Sequence, residues 1–261
     1  MGLVFDAPLL GSLPSAYGFG MQANGVVVSG AAAPQGVAGR IMPSSRGLHV
    51  TLVEGDESPT PSGGIRSECY TQHQALAEVW IVADVMIPAT WALRDKGLSV
   101  FQLIQTPAAD APEGRDVTMV ILVAGDEFVV QVAGGTEASL GVGSRVAGSA
   151  KVSFGKWQRF CWHIKWAYDA SGFREVFCDG VPLLREFSCA TAYDRASNPY
   201  FKFGIYNFTG FSGFGVREAL FRNVKIWVDE VVGYGRAMEA LPIPGKILHI
   251  QQRKFAFDGK I

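Results

Sequence analysis

At 261 residues, 48% hydrophobic and 18% charged, the chain has enough apolar material for one sizeable core and falls within the range of a single all-β domain. A formal net charge of -1, with Lys and Arg scattered along the chain, supplies no field for nucleic acid. No stretch reaches the ~18 consecutive apolar residues of a membrane helix, so no membrane insertion is expected.

The start, "MGLVFDAPLLGSLPSAYGFGMQ", has no Lys or Arg ahead of an apolar run and does not read as a secretory signal. Asp6 stands where a myristoylation site needs Ser or Thr. From there the hydrophobic period is close to two and helix is scarce. "GVVVSG", "RGLHVTLVEG", "EVWIVADVMI", "LSVFQLIQT", "VTMVILVAG" and "EFVVQVAGG" are rich in β-branched and aromatic residues and are punctuated by Gly, Pro or Asp. "EGDESPTPSGG" and "TPAADAPEGRD" between them read as cleft rims or surface excursions. In "WQRFCWHIKWAYDASGFREVFCDGVPLLREF", Phe160, Trp162, Ile164 and Trp166 alternate with Cys161, His163 and Lys165, predicting a core face and a polar face. "DASG" and "DG" read as hairpin turns. "EALFRNVKIWV" is the last strong strand, and "GYGRAMEALPIPGKILHIQQRKFAFDGKI" loses the alternation.

This pattern predicts an all-β fold, a two-sheet antiparallel β-jelly-roll sandwich with one concave face open to a ligand. Residues 1–235 form the jelly-roll domain and 236–261 a C-terminal extension, with no internal repeat. Cys69, Cys161, Cys178 and Cys189 show neither a CxxC pair nor disulfide-scaffold spacing and read as free, buried thiols. No metal or cofactor is expected.

Strand alternation also assembles a candidate site. In "YFKFGIYNF", Tyr200, Lys202, Gly204 and Tyr206 share one face, while Phe201, Phe203 and Ile205 share the other. "IRSECY" aligns Arg66, Glu68 and Tyr70, and Gln102 stands among apolar neighbours in "VFQLIQ". Gly204 leaves room for something to approach. Among the tryptophans, Trp91, in a loop-like stretch, is the best candidate for an exposed stacking residue.

"RSECY", "FQLIQ" and "YFKFGIYNF" resemble the signature strands of the jelly-roll polysaccharide lyases. These are the alginate lyases, with RSELR, QIH and YFKAGxYNQ, and their glucuronan- and heparin-lyase relatives; the fold implied is concanavalin A-like, of lectin/glucanase type. The Trp-rich strand and its hairpin look like the heparin-lyase stretch, so the resemblance runs from about Arg66 to Trp227. It implies an acidic-polysaccharide partner and cleavage of uronic-acid glycans by β-elimination. Removing the C5 proton beside a carboxylate requires donors that neutralise that carboxylate. Arg66, Gln102 and Lys202 suit that role. The resemblance makes Tyr206 the proton-transfer residue, feasible for a tyrosine whose pKa neighbouring cations lower. Arg66, Gln102 and Tyr206 are then the catalytic set, and Lys202, Glu68, Tyr70, Tyr200 and Asn207 the substrate-binding set, with Glu68 orienting Arg66 through a charge-assisted hydrogen bond.

Two departures matter. Ile104 stands where the family has its histidine, and Tyr70 replaces the second arginine of RSELR. His49, His73, His163 and His249 read as ordinary strand or loop residues. Loss of the histidine leaves open an intact fold with weak or absent activity. The alternative from another class is a non-catalytic structural protein: a decoration, spike or tail component of a phage-like particle, or a homo-oligomer, with the C-terminal stretch packed on a neighbouring subunit. An extracellular or virion-surface location is expected, reached without a signal peptide in this chain.

Overall fold

The computed structural model describes residues 3–11, 19–28, 37, 39–59, 64–71, 78–91, 98–105, 115–123, 126–135, 145–194, 199–207, 212–229 and 237. The predicted extension 236–261, apart from Ala237, therefore lies outside the described residues, as do His73 and His249. No helix among the described residues is long and apolar enough to cross a membrane.

Two antiparallel sheets carry the fold. The first contains β1 (Leu3–Ala7), β4 (Ile41–Ser44), β5 (Gly47–Val53), β7 (Glu78–Met86), β12 (Trp157–Lys165), β13 (Gly172–Cys178), β14 (Val181–Cys189) and β16 (Val216–Val228). Its order is β14-β13-β12-β7-β16-β5-β4, with β1 on β16. The second contains β2 (Gly20–Ala23), β3 (Val26–Val28), β6 (Arg66–Tyr70), β8 (Leu98–Gln105), β9 (Arg115–Val123), β10 (Glu127–Val132), β11 (Arg145–Lys151) and β15 (Pro199–Asn207). Its order is β11-β10-β9-β8-β15-β6-β2-β3. The expected two-sheet antiparallel sandwich is what the chain forms.

Alternation explains the core. Phe160, Trp162 and Ile164 of β12 and Phe201, Phe203 and Ile205 of β15 turn toward each other from the two sheets and are at most 1% exposed. Phe101 of β8 joins them, its ring centroid 5.1 Å from Trp162 and 5.6 Å from Phe221 of β16, in edge-to-face geometry. The predicted "DG" hairpin between β13 and β14 is present, with Asp179 at φ 48° and Gly180 at φ 85°, both positive as a type I′ turn requires.

The outer face of the first sheet corrects the expectation of a simply polar surface. Cys161 is fully buried there with Trp80, Val82, Phe177, Trp227 and Ala237, forming a second apolar cluster outside the sandwich. Ala237, from beyond the last strand, is part of that cluster. His163, on the same face, stacks on Trp80 with ring centroids 3.8 Å apart, between Glu78 (2.7 Å) and Glu175 (3.0 Å). Beyond it, buried Asp84 receives Arg159 through two nitrogens (2.6 and 2.9 Å) and Asn223 at 2.7 Å. Trp91 is likewise corrected: it is 4% exposed and its indole N–H donates to the Glu218 carbonyl, so it is a core residue and no exposed stacking residue.

Candidate functional site

The site is built on three adjacent strands of the second sheet, β8, β15 and β6, with β2 beside them. Because Phe201, Phe203 and Ile205 take the core face of β15, Tyr200, Lys202 and Tyr206 are left on the face turned away from the core. Register then aligns the partners. Lys202 lies opposite Gln102 on one side and Tyr70 on the other, Tyr206 opposite Arg66, and Gly204 opposite Glu68. Seven of the eight predicted site residues, Arg66, Glu68, Tyr70, Gln102, Tyr200, Lys202 and Tyr206, thus share one face. Asn207 is the eighth; alternation assigns it to the opposite face from Tyr206, and it is 2% exposed.

Gly204 serves a close approach different from the one expected. At φ +146°, a Cβ there would lie 2.2 Å from the Ser67 carbonyl oxygen and 2.6 Å from Glu68 Cα, so the glycine admits the backbone of β6. This brings the floor of the site together: Glu68 sits between the two cations, with Oε2 3.8 Å from Arg66 and 3.7 Å from Lys202. These separations are ion pairs and exceed hydrogen-bond length. The hydrogen bond that Glu68 does accept comes from Gln22 Nε2 at 2.9 Å. Sequence reasoning passed over Gln22; its signal was "MQANG", a short strand closed by an Asn-Gly turn whose φ angles are 43° and 73°.

Arg66 is arranged unusually for a substrate donor. Its guanidinium lies 4.0 Å from the centroid of the Tyr206 ring, and its Nε donates to the Gly64 carbonyl at 3.2 Å. Lys202 reaches within 5.6 Å of the Tyr200 ring centroid. Tyr70 donates its hydroxyl to the Val28 carbonyl at 3.3 Å, and burial pushes its phenol above the ordinary tyrosine range. Directly behind the site, Cys69 is fully buried and burial pushes its thiol well up. Ile104 is buried beside Lys202's strand, opposite Tyr200.

Arg66, Glu68, Gln102 and Lys202 are each less than a tenth exposed. Buried cations favour an anion that pairs with them. Among the described residues no group of three His, Cys, Asp or Glu side chains is placed to hold a metal ion. What the face offers is charge neutralisation beside a stacked phenol, the pair of functions that proton abstraction next to a carboxylate requires.

A family model described as polysaccharide lyase matches residues 37–231. Among solved structures, alginate lyase A1-II′, a member of polysaccharide lyase family 7, aligns with a TM-score of 0.65 at 14% identity, covering 84% of this chain and 100% of its own. The endo-β-1,4-glucuronan lyase of the fungus Trichoderma reesei gives 0.58 at 20% identity, covering 69% of this chain and 80% of its own. An alginate lyase from Pseudomonas aeruginosa gives 0.58 at 16% identity, covering 80% and 96%. At these identities the likeness is one of fold, the β-jelly roll. No curated protein sequence matches the chain.

Proposed function

This chain belongs to the polysaccharide lyase family, and on that premise we propose that the outer face of β8, β15 and β6 binds a uronate carboxylate of an acidic polysaccharide and cleaves the glycan by β-elimination. The observation that carries the reading is the meeting of Arg66, Gln102, Lys202 and Tyr206 on one sheet face, with the two cations buried there. Gln102 and Lys202 neutralise the substrate carboxylate, which acidifies C5–H. Tyr206, as its phenolate, takes that proton; electrons from the C–H bond form the C4=C5 double bond as the C4–O4 bond breaks, and the now neutral Tyr206 passes the proton on to the departing O4. Glu68 fixes the two cations, and Tyr70 and Tyr200 line the face around Lys202.

Ile104 lowers the rate in this reading, because an apolar side chain at that position neither holds charge nor moves a proton. A weak lyase or a glycan binder retaining the fold is therefore the form proposed. Incubation with alginate, glucuronan and heparin, followed by absorbance of the unsaturated uronyl product, tests it. Product from any one polymer supports elimination. Absence of both product and binding on all of them rejects it and favours a structural role for the fold.

A further inference from the structure

We infer that Arg66 is a positioning residue acting through Tyr206, stabilising its phenolate, and is not itself the clamp on the substrate carboxylate. The inference rests on the reading of Tyr206 as the proton-transfer group. Three contacts commit the guanidinium. It lies 4.0 Å from the Tyr206 ring centroid, its Nε is engaged by the Gly64 carbonyl at 3.2 Å, and one terminal nitrogen is held 3.8 Å from Glu68. Only 8% of the side chain is exposed, so the cation acts on the ring through a desolvated path in which little water screens it.

A cation held there favours the ionised ring over the neutral one, and so raises the population able to accept a proton from C5. The other described groups beside Tyr206 on its own and the two flanking strands bear on it differently. Ser99, opposite it on β8, is uncharged and donates to the Phe101 carbonyl at 3.2 Å; Glu68, the carboxylate of β6, opposes phenolate formation. Lys202, on Tyr206's own strand, lies opposite Gln102 and Tyr70, between Glu68 (3.7 Å) and the Tyr200 ring. Gly64 fixes the geometry from the other side: a Cβ there would strike the Asn207 carbonyl at 2.0 Å and approach the Tyr206 ring at 3.2 Å, so the segment that holds Arg66 Nε is packed against the tyrosine.

Titration of Tyr206 reads this without substrate, which separates it from the question of lyase activity. The difference between the ultraviolet tyrosinate titrations of wild type and Tyr206→Phe isolates that phenol. In the wild type it should ionise before Tyr70, identified the same way with Tyr70→Phe. In Arg66→Met, compared with Arg66→Met/Tyr206→Phe, the Tyr206 titration should move up by about one pH unit, because the lost cation favours the ionised phenol over the neutral one. Where product formation is measurable, Arg66→Met should lower kcat and move the alkaline rise of the pH profile upward while KM stays within about twofold. A Tyr206 titration unchanged by Arg66→Met, or a tenfold rise in KM with kcat preserved, overturns the inference. Should Arg66→Met fail to fold by circular dichroism, the order of ionisation in the wild type decides: Tyr206 ionising with or after Tyr70 refutes it.

Discussion

Replacing Glu68 with Gln keeps the shape of the side chain and removes a carboxylate that lies between Arg66 and Lys202. Each cation lies 3.7–3.8 Å from Glu68 Oε2, and all three side chains are at most 8% exposed. At an effective dielectric of ~20, each pair represents about 4 kcal/mol of gross attraction, and breaking a buried pair by removing one partner typically costs about 3–5 kcal/mol net. The amide oxygen of Gln still accepts from Gln22, whose bond to Glu68 is 2.9 Å, so the lower end applies. A loss of about 3 kcal/mol corresponds to a Tm lower by roughly 6–12 °C in a domain of this size. Affinity should move the other way. The floor loses one negative charge beside its two cations, and an acidic oligosaccharide should bind more tightly to Glu68→Gln, with a steeper salt dependence. Differential scanning calorimetry and titration calorimetry with a uronate trisaccharide measure both quantities. A Tm within about 2 °C of wild type would show that the ion pairs contribute under 1 kcal/mol and would refute the reasoning.

Three other changes probe different links. Ile104→His restores a titratable group opposite Tyr200 and should raise the rate of product formation on a uronic-acid polymer; no gain in a folded variant counts against an otherwise complete site. Gly204→Ala places a Cβ 2.2 Å from the Ser67 carbonyl in a backbone conformation costing about 1–3 kcal/mol for other residues, so thermal unfolding should show more than about 3 kcal/mol lost and the Glu68 cluster should loosen. Burial pushes the thiols of Cys69, Cys161 and Cys178 up, Cys178 to about 12. They remain protonated in the fold while unfolded thiols ionise near pH ~8.5, so the unfolded state releases protons and stability falls as pH rises past that value. Urea unfolding across that range checks the slope. An Ellman assay on native protein should modify Cys189 first, since it alone of the four is incompletely buried.

The face of seven of the eight site residues was legible because strand alternation needs no knowledge of neighbours; Asn207, put in the substrate-binding set, takes the opposite face. The period in "YFKFGIYNF" placed Lys202 and Tyr206 opposite Phe201 and Phe203, and the core confirms that division. What alternation cannot supply is register across strands, and the partners of Glu68 depend on it. The expected Arg66–Glu68 hydrogen bond is instead a 3.8 Å ion pair, with Gln22, from a strand 46 residues earlier, taking the short contact. Trp91 was misread for a related reason: irregular local sequence suggested exposure, whereas its indole caps a carbonyl of β16 far along the chain. The second apolar cluster around Trp80 and Trp227 was missed because the residue beside it, Ala237, comes from a stretch without strand periodicity.

Elimination through Tyr206 is tested most directly by comparing wild type and Tyr206→Phe on one cleaved polymer, with product absorbance for turnover and calorimetry for binding. The change removes only a hydroxyl and leaves the ring under Arg66, 4.0 Å from the guanidinium. If Tyr206 transfers the proton, turnover falls by about 10²–10⁴-fold while affinity changes little. Equal turnover in both proteins, or a loss confined to affinity, would contradict a proton-transfer role for Tyr206.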